Sequence, residues 1–274
     1  ADVAAALAPL SMPVYAVPGN HDDPTMARAA LPRCMPVADG APPGLCCYHV
    51  RHGPLHLVAL DTVVPRRSHG VLHAAQLAWL ERTLQACAGE PVLLFMHHPP
   101  LPTGLAAMDA CSLLEGSAAL AALVRGHGAV QGLLCGHLHR PVQMQFGGAP
   151  LHVAPSVAHQ IALDLRPDAP LRARLEPSKV SLHRWTAEHG LCTHTSYVQV
   201  FGPALLPRVD HLRFAHDPVN HAYIHNTEPV WSEDPLVELE TRILPLHDPS
   251  NVAAIIVEPV VGSAGWYIPP KGYL

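Results

Sequence analysis

The chain has 274 residues, of which 49% are hydrophobic and 14% are charged, and its formal net charge is -5. This composition excludes a disordered chain, and the acidic balance gives a nucleic-acid-binding surface no electrostatic support. The sequence contains no apolar run of about 18 residues, so we expect no membrane partner.

The cysteines and the absence of a leader pattern predict the compartment. There are seven cysteines, an odd number, and none of them forms a CxxC pair. No basic segment followed by an apolar stretch and a cleavage site is present. We therefore expect reduced thiols in a cytoplasmic protein.

The first sixty residues alternate short helical and extended patterns. Ala1–Leu10 is predicted as the end of a helix, and Met12–Val17 as a strand. Pro24–Leu31 is predicted as a short helix. Cys47–His52 and Leu55–Asp61 are predicted as a hairpin, because two alternating apolar runs flank a Gly-Pro turn.

The middle of the chain alternates strands and helices, which predicts an α/β fold. Continuous apolar runs such as Val92–Met96 are typical of parallel strands buried on both faces. The predicted elements are a helix over Gly70–Ala86, strands over Val92–Met96 and Val130–Cys135, a helix over Cys111–Arg125, and shorter strands over Val142–Phe146, Leu151–Ala154 and Gln160–Leu165.

Three of the apolar runs end in residues that commonly bind metals. These residues are Asn20 and His21 after the first run, the pair His97 and His98 after the second, and His137 and His139 after the third. In an extended segment, side chains two residues apart point to the same side, so His137 and His139 are expected to face one site. Because open α/β sheets bind ligands beyond the carboxyl ends of their strands, the three ends predict a transition-metal site.

The motifs GNHD, MHHPP and CGHLH, in this order, resemble those of the calcineurin-like metallophosphoesterases. The resemblance is strongest to the class III cyclic-nucleotide and glycerophosphodiester phosphodiesterases and covers residues 1–206, including Leu171–Tyr197 as the closing strands. It implies a β-sandwich flanked by helices. It also implies a phosphodiesterase that uses metal-activated hydroxide on a small phosphoester, with promiscuous action on phosphotriesters or monoesters.

The resemblance assigns roles to individual residues. Asn20, His97 and His137 would bind the second metal and His139 the first, while His21 would stabilise or protonate the leaving oxygen and Asp22 would orient it. His97 is chosen over His98 because the family pattern reads His-x-Pro. The expected cofactors are one or two divalent ions of Mn, Fe, Zn or Co.

Two further polar residues have alternative interpretations. Asp61 ends an apolar run and is a possible metal ligand, although the corresponding Asp of the family is usually structural. His159 resembles a family residue near the active site, but a packing role is the expectation.

The sequence departs from the family pattern before Asn20. The family opens with a strand ending in Asp-x-His and a later strand ending in Gly-Asp-x-x-Asp, which supply the bridging Asp and the remaining first-metal ligands. Neither motif precedes Asn20, so we expect an amino-terminally truncated domain. The alternative function is a folded, inactive remnant with a structural or interaction role.

The tail, residues 207–274, differs in character from the rest of the chain. Glu228–Leu274 resembles a fragment of a class III pyridoxal-phosphate aminotransferase, which makes the chain a chimera. Lys179 and Lys271 are the only lysines, and Lys271 lies in a PPKGYL turn. We therefore expect no pyridoxal phosphate and no transaminase activity, because that chemistry needs a Schiff-base Lys and an acidic partner.

The β-branched run Asn251–Glu258 is a candidate strand to complete the truncated sheet, within one chain or between two. Glu258, or the pair His247 and Asp248, would then be a candidate metal ligand. The alternative is that the tail is filler or mediates oligomerisation. Because an open sheet edge promotes self-association, a homo-oligomer is expected.

Overall fold

A computed structural model describes residues 2–198 and the strand 252–256. Its helices are α1 (Asp2–Leu7), α2 (Pro24–Ala30), α3 (Ala74–Ala86), α4 (Ala106–Asp109) and α5 (Ser117–Gly126). Its strands are β1 (Tyr48–His52), β2 (Leu55–Leu60), β3 (Gly70–Val71), β4 (Val92–Met96), β5 (Leu113–Glu115), β6 (Val130–Cys135), β7 (Val142–Phe146), β8 (Ala149–Val153), β9 (Gln160–Ile161), β10 (Ala173–Arg174), β11 (Lys179–Thr186), β12 (Gly190–Tyr197) and β13 (Val252–Ile256).

The largest sheet of the described residues has six strands in the order β1-β2-β4-β6-β8-β7. The four central strands are parallel, and the antiparallel strands β1 and β7 form its edges. β2 is buried along its whole length, and β4 and β6 are buried at all but one position each, as their continuous apolar runs predict. This arrangement brings the ends of β4 and β6, and the histidines that follow them, to one edge of the sheet.

The two faces of this sheet are covered by different layers. On one face, Leu80 of α3 and Leu120 of α5 share a buried core with Leu94 of β4. On the other face, Leu93 of β4 packs with Leu191 of β12. The predicted α/β sandwich flanked by helices is therefore confirmed.

Residues Met12–Val17 do not form the predicted strand. They are extended, but within the described part of the chain they join no strand ladder. They are held instead by single contacts: the Ala16 amide donates to the Cys34 carbonyl at 2.9 Å, and the Tyr48 hydroxyl donates to the Ala16 carbonyl at 2.8 Å.

The predicted helix over Cys111–Arg125 is wrong in its first half. Leu113–Glu115 pairs with Gly70–Val71 as a short parallel ladder. Gly116 then adopts a φ of 88°, a left-handed conformation that ends the strand before α5 begins at Ser117. The predicted strand over Gln160–Leu165 is likewise shortened to Gln160–Ile161.

The strand predicted in the tail forms as β13. It pairs antiparallel with β11, placing Ile256 opposite Ser181, in a sheet of order β12-β11-β13. It therefore joins the sheet of the closing strands β11 and β12, and not the six-stranded sheet whose strands precede His97 and His137. The rest of residues 207–274, including Glu258, His247 and Asp248, lies outside the described residues. In the described part of the chain, no helix is both long and apolar enough to cross a membrane.

Candidate metal centre

Three ligand atoms converge at the carboxyl edge of the six-stranded sheet. The Nε2 atom of His97 lies 2.9 Å from Oδ1 of Asn20 and 3.2 Å from Nδ1 of His137. Asn20 comes from the loop after Val17, His97 follows β4, and His137 follows β6. The structure thus brings together the three residues to which the family resemblance assigned the second metal.

The segment from Gly136 to His139 is a tight turn, so the expectation that it is extended is wrong. The Leu138 amide donates to the Gly136 carbonyl at 2.8 Å, and His137 and His139 adopt φ values of 71° and 50°. A left-handed non-glycine residue costs roughly 1–3 kcal/mol, and such conformations cluster at functional sites. The turn sends His137 toward His97, whereas His139 contacts a different residue.

Two glycines let the backbone approach the ring of His97 closely. A Cβ atom at Gly19 would lie 2.8 Å from Cε1 of His97, and one at Gly136 would lie 3.4 Å from its Nδ1. At Gly19 the ring fills the space that any side chain would need. The glycine of the GNHD motif is therefore part of the centre, although it carries no ligand.

His98 packs against both histidines of the centre. Its ring lies 4.8 Å from that of His97 and 4.6 Å from that of His137, between centroids. Its Nδ1 pairs with the Thr62 hydroxyl at 2.8 Å and its Nε2 with the Ser68 carbonyl at 3.1 Å. With both ring nitrogens bonded, His98 is better suited to hold its neighbours than to bind a metal.

The electrostatics of the cluster keep its imidazoles neutral. Desolvation, followed by the repulsion that a protonated His98 would exert, lowers the pKa of His97 well below its ordinary value. The same two causes lower the pKa of His137 to about 3, and desolvation lowers that of His98 to about 4. Neutral imidazole is the form that binds metals, so little proton release opposes binding. Two imidazole nitrogens and one amide oxygen suit a transition metal better than Mg²⁺ or Ca²⁺.

His139 forms a second pair with His159. Its Nδ1 lies 3.1 Å from Nε2 of His159, and the two buried rings meet edge to face at 4.7 Å. Electrostatic repulsion from His139 and His21 contributes to lowering the pKa of His97, so both residues lie near His97. His159, expected only to pack, thus contacts a predicted ligand.

His21 and Asp22 lie in the loop that presents Asn20. His21 is exposed. The Asp22 carboxylate accepts from the Gly19 amide at 2.8 Å, and the Asp22 amide donates to the Gly19 carbonyl at 2.9 Å. Within the described residues, Asp22 therefore holds the turn and makes no hydrogen bond to His21.

Asp61 has a structural environment. One of its buried carboxylate oxygens accepts from the Cys46 amide at 2.9 Å and the other from the Val63 amide at 3.0 Å. Burial raises the pKa of this carboxyl group. Both oxygens are occupied, which favours the structural alternative for Asp61.

Cys111 is a neighbour of the centre that sequence reasoning missed. Its Sγ lies 3.5 Å from Nε2 of His137. Burial, followed by the charge of Asp109, raises the pKa of its thiol. Cys111 belongs to no recognisable motif, so only the fold reveals this contact.

The geometry agrees with comparisons to known proteins. The family model for calcineurin-like phosphoesterases matches residues 1–141. A probable glycerophosphodiester phosphodiesterase of Arcobacter nitrofigilis is 37% identical over 195 residues, which is 71% of this chain and 70% of the relative. A glycerophosphodiester phosphodiesterase of Enterobacter lignolyticus is 30% identical, covering 73% and 70%. A probable cyclic nucleotide phosphodiesterase of Rhodopseudomonas palustris is 34% identical, covering 64% of each chain.

Proposed function

The chain belongs to the calcineurin-like phosphoesterase family, and on that premise we propose that it is a metal-dependent hydrolase of small phosphodiesters. Glycerophosphodiesters and cyclic nucleotides are the two substrate classes that the names of its relatives favour. Weaker action on phosphotriesters or monoesters is part of the proposal.

The convergence of Asn20, His97 and His137 carries this proposal. Oδ1 of Asn20 and Nδ1 of His137 lie 2.9 and 3.2 Å from Nε2 of His97, and burial lowers the pKa of both imidazoles, which favours their neutral form. These three residues would hold one divalent ion of Mn, Fe, Zn or Co. Such an ion, when bound, polarises a phosphoryl oxygen and generates a nucleophile near neutral pH.

The remaining residues act around this ion. His139, with His159 beside it, would serve a first-metal position, so that the chain binds one or two ions. His21 is exposed and influences the pKa of the nearby His97, and its imidazole would donate a proton or a hydrogen bond to the leaving oxygen. Asp22 fixes the turn from which Asn20 and His21 project.

The test is hydrolysis of bis(p-nitrophenyl) phosphate, a chromogenic phosphodiester. His97→Ala should reduce kcat/KM by at least about 10- to 100-fold, because losing a ligand costs at least as much as losing a residue that orients one. His189→Ala is the matched control, since His189 is an exposed histidine of the hairpin between β11 and β12. Equal activity of the two variants would contradict the assignment.

Inactivity of the parent protein at every metal tested would favour the alternative, a folded remnant with a structural or interaction role. We further propose a catalytic unit over residues 1–206, an aminotransferase-derived segment over 207–274 that binds no pyridoxal phosphate, a homo-oligomeric assembly and a cytoplasmic location.

A further inference from the structure

A second group of metal-ligand side chains lies at the opposite end of the six-stranded sheet. His49 of β1, His56 of β2 and Cys87 at the end of α3 place their ligand atoms within 4.8 Å of one another. His56 lies opposite Val92, the first residue of β4, whereas His97 follows the last residue of that strand. At about 3.3 Å per residue, the group is roughly 15 Å from the candidate metal centre.

The hairpin register brings the two histidines together. His49 pairs with Val58, and His56 lies two residues before Val58, so both imidazoles occupy the same face of the ladder. Their rings stack at 5.0 Å with an interplanar angle of 20°, and Nε2 of His49 lies 2.7 Å from Nδ1 of His56. Cys87 approaches this face from the helical layer, in which it is buried.

The second nitrogen of His56 has a partner of the kind found behind metal-bound histidines. Its Nε2 lies 3.3 Å from a carboxylate oxygen of Glu90, and Arg51 holds the same oxygen at 2.7 Å. A carboxylate that accepts from the far N–H of an imidazole fixes its tautomer and directs the near nitrogen toward a metal. In this tautomer, Nδ1 of His56 presents a lone pair toward His49 and Cys87.

The donor set determines the class of ion. We propose that His49 Nε2, His56 Nδ1 and the Cys87 thiolate form a zinc site that links the β1–β2 hairpin to the end of α3. Imidazole and thiolate together favour Zn²⁺ over Mg²⁺ or Ca²⁺, and a water molecule completes the tetrahedron on the partly exposed side of His49. This site is separate from the proposed phosphodiesterase activity and does not depend on it.

The binding step is balanced by proton release. Burial, and then the charge of Glu90, raises the pKa of the Cys87 thiol, so the metal-free form carries the proton. Zn²⁺ displaces that proton to solvent, and the sulfur lone pair forms the bond to the metal. The two ring nitrogens must separate from 2.7 Å to about 3.4 Å to be tetrahedral ligands at about 2.1 Å. A small rotation of the partly exposed His49 ring supplies this movement.

Cobalt spectroscopy tests the site without relying on activity. Metal-stripped protein carrying Cys111→Ser, which removes the thiol beside His137, is titrated with Co²⁺. We expect a thiolate-to-cobalt charge-transfer band that disappears on adding Zn²⁺ and is absent when Cys87→Ser is also introduced. His49→Gln, at a partly exposed position, should weaken the cobalt affinity reported by this band at least 10-fold.

Two results would overturn the proposal. One is the absence of a charge-transfer band in the Cys111→Ser protein, which would leave His49 and His56 as a hydrogen-bonded pair only. The other is a band of equal strength with and without Cys87. If the Cys87→Ser protein does not fold, the His49→Gln titration decides alone, and an unchanged affinity refutes the site.

Discussion

Replacing Gly19 with alanine tests whether the ring of His97 must lie where the structure places it. The added Cβ would lie 2.8 Å from Cε1, 3.0 Å from Nδ1 and 3.2 Å from Nε2 of that ring. Ordinary contacts begin at about 3.4 Å, so the ring has to move by about 0.6 Å. Because Nε2 is the atom shared with Asn20 and His137, the movement separates all three ligands.

The expected loss follows from this displacement. A misplacement of about 1 Å in a catalytic group can cost on the order of 100-fold in rate, so we expect Gly19→Ala to lower kcat/KM by about 10- to 100-fold. Metal affinity should fall in parallel. The melting temperature should change little, because His97 is only partly buried and is not one of the hydrophobic core residues.

The assay is bis(p-nitrophenyl) phosphate hydrolysis over a metal titration. Gly128→Ala is the matched control, since a Cβ there would meet nothing within 4 Å. Full activity and unchanged metal affinity in Gly19→Ala would refute the reasoning. The ring of His97 would then lie elsewhere in the working enzyme.

Three other predictions concern the supports of the centre and its surroundings. Tyr48→Phe removes the hydroxyl that contacts the carbonyls of Ala16 and Cys34 at 2.8 and 2.9 Å, and should lower the free energy of unfolding by about 1–2 kcal/mol in urea titrations. Burial lowers the pKa of His183 to about 3, below its unfolded value, so acid favours the unfolded state between about pH 6.5 and 3. Between pH 7 and pH 5, His183 should therefore lower the free energy of unfolding by about 2 kcal/mol. The variant His183→Asn, which can still form a hydrogen bond with Thr193, should not show this loss. Removing metal with a chelator should abolish hydrolysis and lower the melting temperature, and adding Mn²⁺ or Zn²⁺ should restore both.

Much of the fold could be predicted because burial is encoded locally. The runs Val92–Met96, Val130–Cys135 and Val142–Phe146 form strands with the predicted bounds. Each is an apolar or alternating segment with a clear turn signal at its end. The segment Met12–Val17 is also largely apolar, but a strand also needs a neighbour to pair with, and the composition of one segment cannot supply that information.

The grouping of residues in the candidate centre could be predicted from the sequence only where those residues directly follow strands. His97 and His137 follow the neighbouring strands β4 and β6, whose order in the sheet brings them together, and Asn20 reaches them from the loop after Val17. The left-handed turn at His137 and His139 was not predictable, because non-glycine residues adopt this conformation only where the surrounding structure imposes it.

Contacts between residues that are distant along the chain also could not be predicted from the sequence. The neighbours His159 and Cys111, and the group of His49, His56 and Cys87, join parts of the chain that share no motif. For the group of His49, His56 and Cys87, the register of the β1–β2 hairpin and the packing of α3 supply the contact.

Metal binding by Asn20, His97 and His137 is tested most directly by anomalous diffraction from crystals of the parent protein grown with Mn²⁺ or Zn²⁺. We expect an anomalous peak about 2.0–2.2 Å from Asn20 Oδ1, His97 Nε2 and His137 Nδ1. A well-ordered structure at saturating metal with no peak among these three atoms, or with His97 or His137 turned away from the peak, would contradict this expectation.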